Sequence, residues 1–152
     1  LLGADGGAAV GGLLGAYGTT EPSAFLVGLG ELLSDFAVAT PGEFDALLVD
    51  WGIYNVGMLA FMEDYDLIVS LVTPTAAVAH GTTFDESVLP GFSYTATYNV
   101  TGWPSAVVRV GTSAEGLPIG AQFIAAPWRE DIALAAAAAV EAALGGFQAP
   151  NL

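Results

Sequence analysis

Between residues 92 and 124 the apolar positions fall into two short runs, 106–110 and 119–125, joined by a turn rich in Gly, Ser and Pro. That pattern predicts two strands with a loop between them, and the other elements are expected to pack on this pair. Residues 1–17 mix small residues with Leu and Val, and their glycines weaken any helix by about 1 kcal/mol each relative to Ala, so only a short helix over 10–16 is expected. These glycines match no dinucleotide-binding fingerprint, because no adequate strand precedes them. Phe25, Leu29, Leu32, Leu33 and Phe36 recur at helical spacing and predict an amphipathic helix over 21–36. Thr40, Pro41 and Glu43 form a start signal: a capping threonine, a proline at the first helical position and a glutamate placed to reach back to the cap. The helix it opens carries Phe44, Leu47, Leu48, Trp51, Tyr54, Met58, Phe61 and Met62 along one stripe, which is expected to be core. Residues 66–73 are a nearly continuous apolar run, the signature of a strand covered on both faces, and Pro74 ends it. Residues 75–90 lack a period and read as a long loop of the kind that lines a site or moves. A short helix over 92–99 is stopped by Gly102 and Pro104. A last helix over 129–144 is closed by Gly145 and Gly146. This order predicts an α/β fold in which a mixed sheet is flanked by helices. Residues 1–152 are read as a single domain or a fragment of one, with 1–64 a mainly helical lead-in and 65–146 the α/β part.

Composition sharpens that picture. A chain of 152 residues is long enough to bury roughly 70% of its unfolded surface. Apolar residues make up 54% and charged ones 12%, so disorder and a solvated coiled coil are excluded. Such a chain is expected to hide part of its surface against a partner, since large apolar patches are uncommon on monomers. Sixteen acidic residues face two basic ones, Arg109 and Arg129, giving a net charge of −14 with no lysine. Nucleic acid and anionic membrane surfaces are therefore not expected partners, because both require clustered cations. The longest uncharged stretches, 67–84 and 88–108, are interrupted by Pro, Asn, Thr and His and do not suit a bilayer span. No secretory signal is visible at the start, and a cytoplasmic protein is expected. The first residue is Leu1 rather than Met, which is expected of a processed or truncated product or a partial sequence.

Chemistry is sparse. No cysteine is present and His80 is the sole histidine, so thiolate sites, Cys nucleophiles and His-rich metal centres fall away, and neither metal nor cofactor is expected. A triad built on His80 with Ser70 or Ser93 lacks support, because the sequence around Ser93 has no nucleophile elbow. A satisfied loop histidine is the simpler reading. The acid pairs Glu63/Asp64, Asp85/Glu86 and Glu130/Asp131 are sequence neighbours that diverge on a helix. Glu130 and Asp131 are better placed to favour the positive end of the last helix.

Four blocks carry a resemblance. They are Tyr65-Asp66-Leu67-Ile68-Val69-Ser70-Leu71-Val72-Thr73-Pro74, Tyr98-Asn99-Val100-Thr101-Gly102-Trp103-Pro104, Gly116-Leu117-Pro118-Ile119-Gly120-Ala121-Gln122-Phe123 and the final helix. In order and spacing they resemble the C-terminal third of an amidase signature family hydrolase, over about 66–144. The resemblance implies an incomplete C-terminal part of the amidase signature fold. It also implies a reaction in which a Ser nucleophile attacks an amide carbonyl, a second Ser relays its proton and a Lys acts as base, with backbone amides holding the oxyanion. Those groups belong to the family's N-terminal portion, so no catalytic residue is assigned in this chain. The substrate-pocket walls implied are Thr73, Pro74, Phe92, Tyr94, Asn99 and Trp103. The expected partners are an N-terminal catalytic half or partner chain and, in the complete enzyme, a small amide substrate. Three lone strands would leave a sheet edge open to aggregation, in keeping with a missing half. The alternative is a non-catalytic binding or interaction module derived from an amidase.

Overall fold

A computed structural model describes residues 3–149. The chain divides into two compact units: residues up to Tyr54 with His80–Phe84, and Asn55–Ala79 with residues from Asp85 onward. The division falls inside a helix, earlier than the 64/65 boundary expected from sequence, and the tip of the long loop goes with the helical unit.

That unit holds α1 (Ala8–Ala16), α2 (Ala24–Ser34) and the start of α3 (Pro41–Phe61). The Asp5 carboxylate accepts hydrogen bonds from the amides of Gly7 at 2.9 Å and Ala9 at 2.8 Å. Otherwise unpaired N–H groups are thereby satisfied, which is why α1 begins two residues before the expected Val10. The Ser23 hydroxyl caps α2 by accepting from the Leu26 amide at 3.4 Å. Phe25 and Phe84 pack with ring centroids 5.4 Å apart and their planes tilted by 33°. Gly28 makes room for them, since a Cβ there would lie 2.8 Å from two ring carbons of Phe84.

The start of α3 follows its sequence closely. The Thr40 amide donates to Glu43 Oε2 at 2.8 Å, and the Glu43 amide donates to Thr40 Oγ1 at 3.3 Å. The two residues thus satisfy each other's backbone donors. The expected core stripe holds at its end, where Met62 is buried and Met58 packs against it, but no residue within α3 is buried, and Phe44, Trp51 and Phe61 stay exposed together with Val49, Ile53 and Val56 on its other sides. Large apolar residues lie on every side of the helix, so no single face can satisfy it. By length and composition α3, extended to Asp64, is apolar enough to cross a membrane, with a mean hydropathy of 1.2. Glu43, Asp45 and Asp50 lie along it, however, and its Met58 packs on the sheet.

In the second unit, α3 runs into a 3-10 turn, Met62–Asp64, then β1 (Ile68–Leu71). A second 3-10 turn, Leu89–Phe92, leads into α4 (Ser93–Thr101), followed by β2 (Ser105–Thr112), β3 (Pro118–Ile124) and α5 (Glu130–Ala143). The sheet order is β1-β3-β2 with both pairings antiparallel. The α/β class holds, while the mixed pairing expected from sequence is not made among the described residues. The β2–β3 turn closes through the Ser113 amide on the Leu117 carbonyl at 2.8 Å, with Gly116 at φ 86° where an L side chain would be strained.

Register assigns the two faces. Residues opposite one another share a face, so Phe123 and Ala121 of β3 align with Ala106 and Val108 of β2, and α5 covers them with Ala137, Ala136 and Val140. Ile124 and Ile68 share the opposite face and meet Met62, Trp103, Met58 and Tyr98. Small alanines on α5 let the helix approach the sheet closely. On β1, Val69 and Leu71 remain 59% and 45% exposed. Coverage of both faces, expected from the unbroken apolar run, therefore fails at this strand. It lies at the sheet edge.

Candidate functional site

The site is built around one buried amide. Gln122, in the middle of β3, is 2% exposed and is the buried polar residue of the core. Its Nε2 donates to Ser70 Oγ at 2.9 Å, the Leu71 carbonyl at 2.8 Å and the Tyr94 carbonyl at 2.8 Å. Three acceptors around one nitrogen fix the amide orientation, because the flipped form would set Oε1 against two carbonyl oxygens. Register puts Ser70 directly opposite Gln122, and the Ser70 hydroxyl donates onward to the Leu71 carbonyl at 3.1 Å. Removing such a donor takes part-buried hydrogen bonds from the Leu71 and Tyr94 carbonyls, of which Leu71 keeps the Ser70 hydroxyl. Gln122 therefore ties β1 to the first turn of α4.

Next to this tie, a cavity of about 390 Å³ is lined by residues 73–78 and by Ser87, Val88, Gly91 and Phe92. A smaller cavity of about 260 Å³ shares 73–77 and is completed by the ends of β1, β2 and β3. The segment between them is held in a turn by the Thr73 hydroxyl, which donates to the Thr75 carbonyl at 2.6 Å. Its far side touches the 3-10 turn, where a Cβ on Gly91 would lie 3.0 Å from Pro74 Cδ. Only a glycine allows that approach without displacing the proline ring. Gly120 plays a similar part at the smaller cavity, with Val107 and Val72 methyls 3.3 and 3.4 Å from where its Cβ would sit. The lining of both cavities is aliphatic and aromatic, relieved by hydroxyls, with no charged side chain.

Of the pocket-wall residues named from sequence, Thr73, Pro74 and Phe92 come together around the larger cavity. The others lie elsewhere. Tyr94 contributes its backbone carbonyl to Gln122. The Asn99 side chain donates back along α4 to the Thr95 carbonyl at 3.2 Å. Trp103 is 5% exposed in the cluster with Met62 and Ile124, so its indole is core. The turn at 99–104 is the capped end of α4, where Gly102 at φ 71° and the Trp103 amide both close on the Tyr98 carbonyl.

Gln122 is visible in the sequence as one polar residue inside an apolar strand, a position that requires partners; the acceptors of its Nε2, 28 to 52 residues away, are not.

The remaining chemistry is peripheral. His80 is exposed on a turn. Arg129 grips Asp131 with two hydrogen bonds, at 3.0 and 3.1 Å, and holds that carboxyl below its ordinary range. Arg109 donates from Nη1 to the Gly111 carbonyl and Thr112 Oγ1, both at 3.4 Å, and its Nε is buried without a partner. Among the described residues no three His, Cys, Asp or Glu side chains group as a metal site would need.

Comparison with known proteins gives the family. Residues 48–134 match the Amidase family, more than half of the chain, and the chain belongs to that family. Fatty-acid amide hydrolase 2-A of Danio rerio is 42% identical over 60 residues, 40% of this chain and 11% of that protein. Indoleacetamide hydrolase of Bradyrhizobium diazoefficiens is 41% identical over 87 residues, 53% of this chain and 16% of that protein. Among solved structures, 6-aminohexanoate cyclic dimer hydrolase superposes with a TM-score of 0.63 at 26% identity, over 78% of this chain and 27% of that one. The chain thus spans 11% to 27% of the length of these relatives.

Proposed function

We propose that this chain serves an amidase-type hydrolase acting on carbon–nitrogen amide bonds, to which it supplies sheet strands and substrate-pocket walls. The observation that carries the reading is the family match over 48–134, which takes in β1, the cavity walls, β2, β3 and the start of α5. A Ser-Ser-Lys mechanism needs a base that takes the nucleophile's proton through the second serine. These residues include no lysine, so the machinery has to come from a catalytic half on a longer or separate chain. Two features support such a partner. The helix α3 exposes large apolar residues on several sides, and β1 offers a free edge with Val69 and Leu71 about half exposed; both are surfaces that another layer would cover. A small amide and a cytoplasmic setting complete the proposal, with no nucleic acid or membrane involved.

The test is amide turnover. The 152-residue chain alone should leave simple amides unhydrolysed, and adding an N-terminal amidase half should restore ammonia release. Turnover by the isolated chain would refute the argument from lysine. Finding no Lys and no Gly/Ser-rich run in the coding sequence upstream of Leu1, and none in a co-purifying chain, would count against the partner.

A further inference from the structure

We propose that Gln122 sets the width of the 390 Å³ cavity, and with it how bulky an uncharged, apolar group the cavity admits; this rests on the reading that the cavity receives part of an amide substrate. The cavity has two walls. One leaves the end of β1 through Thr73, and the other is the 3-10 turn ending at Phe92. Just outside the cavity each wall presents a backbone carbonyl, Leu71 before Thr73 and Tyr94 after Phe92. Both oxygens lie 2.8 Å from the same atom, Gln122 Nε2. That nitrogen carries two hydrogens, one for each carbonyl, with Ser70 Oγ at 2.9 Å as a third acceptor, so moving either wall gives up a part-buried hydrogen bond to a carbonyl in exchange for one to the Ser70 hydroxyl. Gln122 does not line the cavity; it is a positioning residue that acts through the segments it holds.

The lining names the occupant. Val78, Val88, Phe92 and Pro74 supply hydrocarbon, and the hydroxyls of Thr73 and Ser87 supply the polarity. A volume of about 390 Å³ sits at the lower end of small-molecule pockets, about 300–1,000 Å³. In a chain carrying sixteen carboxylates, a lining with no charge at all suits a neutral aryl or branched-alkyl group and offers no counter-ion to a charged one.

Benzamide and acetamide serve as probes in a 1H–15N NMR titration of the 152-residue chain. Benzamide is expected to shift amides of 73–78 and 87–92, and to move the Gln122 side-chain NH2 resonances at saturation. Gln122→Met keeps the length of the side chain but removes the donors. It is expected to weaken benzamide about ten-fold and to erase the preference for benzamide over acetamide, while α5 amides keep their positions. Equal loss for both probes would make Gln122 merely structural and overturn the proposal, as would unchanged selectivity in a folded variant. Where the variant does not fold, the wild-type chain decides: Gln122 NH2 resonances that stay put with benzamide bound overturn the proposal, and so does failure of benzamide to bind. Turnover is measured separately with the N-terminal half present. Binding without hydrolysis would sink the amidase reading and leave this one, whereas hydrolysis indifferent to Gln122→Met would do the reverse.

Discussion

Replacing Trp103 with Ala separates a core residue from a pocket wall. The indole is 5% exposed and shares its cluster with Met62, Ile124, Met58, Ile68 and Tyr98. A buried Trp removes about 150–250 Å² from water, and at about 25 cal/mol per Å² that corresponds to about 4–6 kcal/mol. The extended-chain reference inflates such figures, and large-to-small truncations of this kind cost about 3–5 kcal/mol. A loss of about 4 kcal/mol is therefore expected, a large share of the roughly 5–15 kcal/mol that holds a domain together. Urea unfolding of the 152-residue chain, followed by circular dichroism, should show a lower midpoint with an unchanged slope. Benzamide binding below the transition should be little altered, since Trp103 lines neither cavity. A stability loss under about 1 kcal/mol, accompanied by weakened benzamide binding, would refute the core assignment and return Trp103 to the pocket.

Further perturbations test other joints. Thr40→Ala removes the cap of α3 and should cost about 1 kcal/mol, read as a lower urea midpoint. Glu43 is held below its ordinary value of 4.5, first by the Thr40 amide and then by the Thr40 hydroxyl. A depressed folded pKa stabilises above the unfolded value and is lost as pH falls through the folded one. Melting temperatures of wild type and Glu43→Gln should therefore differ most at neutral pH and converge below 4.5; a gap that persists in acid would contradict the capping geometry. Gly28→Ala places a methyl 2.8 Å from the Phe84 ring and should cost about 1–3 kcal/mol by overpacking, with altered near-UV dichroism as the Phe25–Phe84 pair separates. An unchanged spectrum would show that the pair is not formed.

Element identity is legible where local chemistry decides it. The reciprocal Thr40/Glu43 cap, the Gly-closed ends of α4 and α5 and the β2–β3 pair all follow from nearby residues. What is not legible depends on what packs against an element. The run 66–73 reads as a doubly covered strand, yet only Ile68–Leu71 pairs and its outer side chains stay open. The stripe on α3 reads as core, yet only its end, Met58 and Met62, packs into the core, and Phe44, Trp51 and Phe61 stay exposed. In both cases the apolar pattern records that burial is required without saying by what. The cavity is half legible: Thr73, Pro74 and Phe92 line it, while the fold gives Tyr94, Asn99 and Trp103 other work. Hydrogen bonds that join distant segments leave no local periodicity, so the sequence marks Gln122 as a polar residue in an apolar strand without showing which segments it ties.

The span of those hydrogen bonds also bears on the order of folding. The β2–β3 pair closes through a short turn and α5 follows at once, whereas Gln122 reaches Ser70 across 52 residues and Tyr94 across 28. Long closures cost more chain entropy and are slow to form. Pulsed hydrogen exchange should therefore find β2 and β3 protected while Ser70 and Leu71 still exchange freely. A newly made chain would pass through a stage in which its most recognisable strands are in place and its cavity does not yet exist.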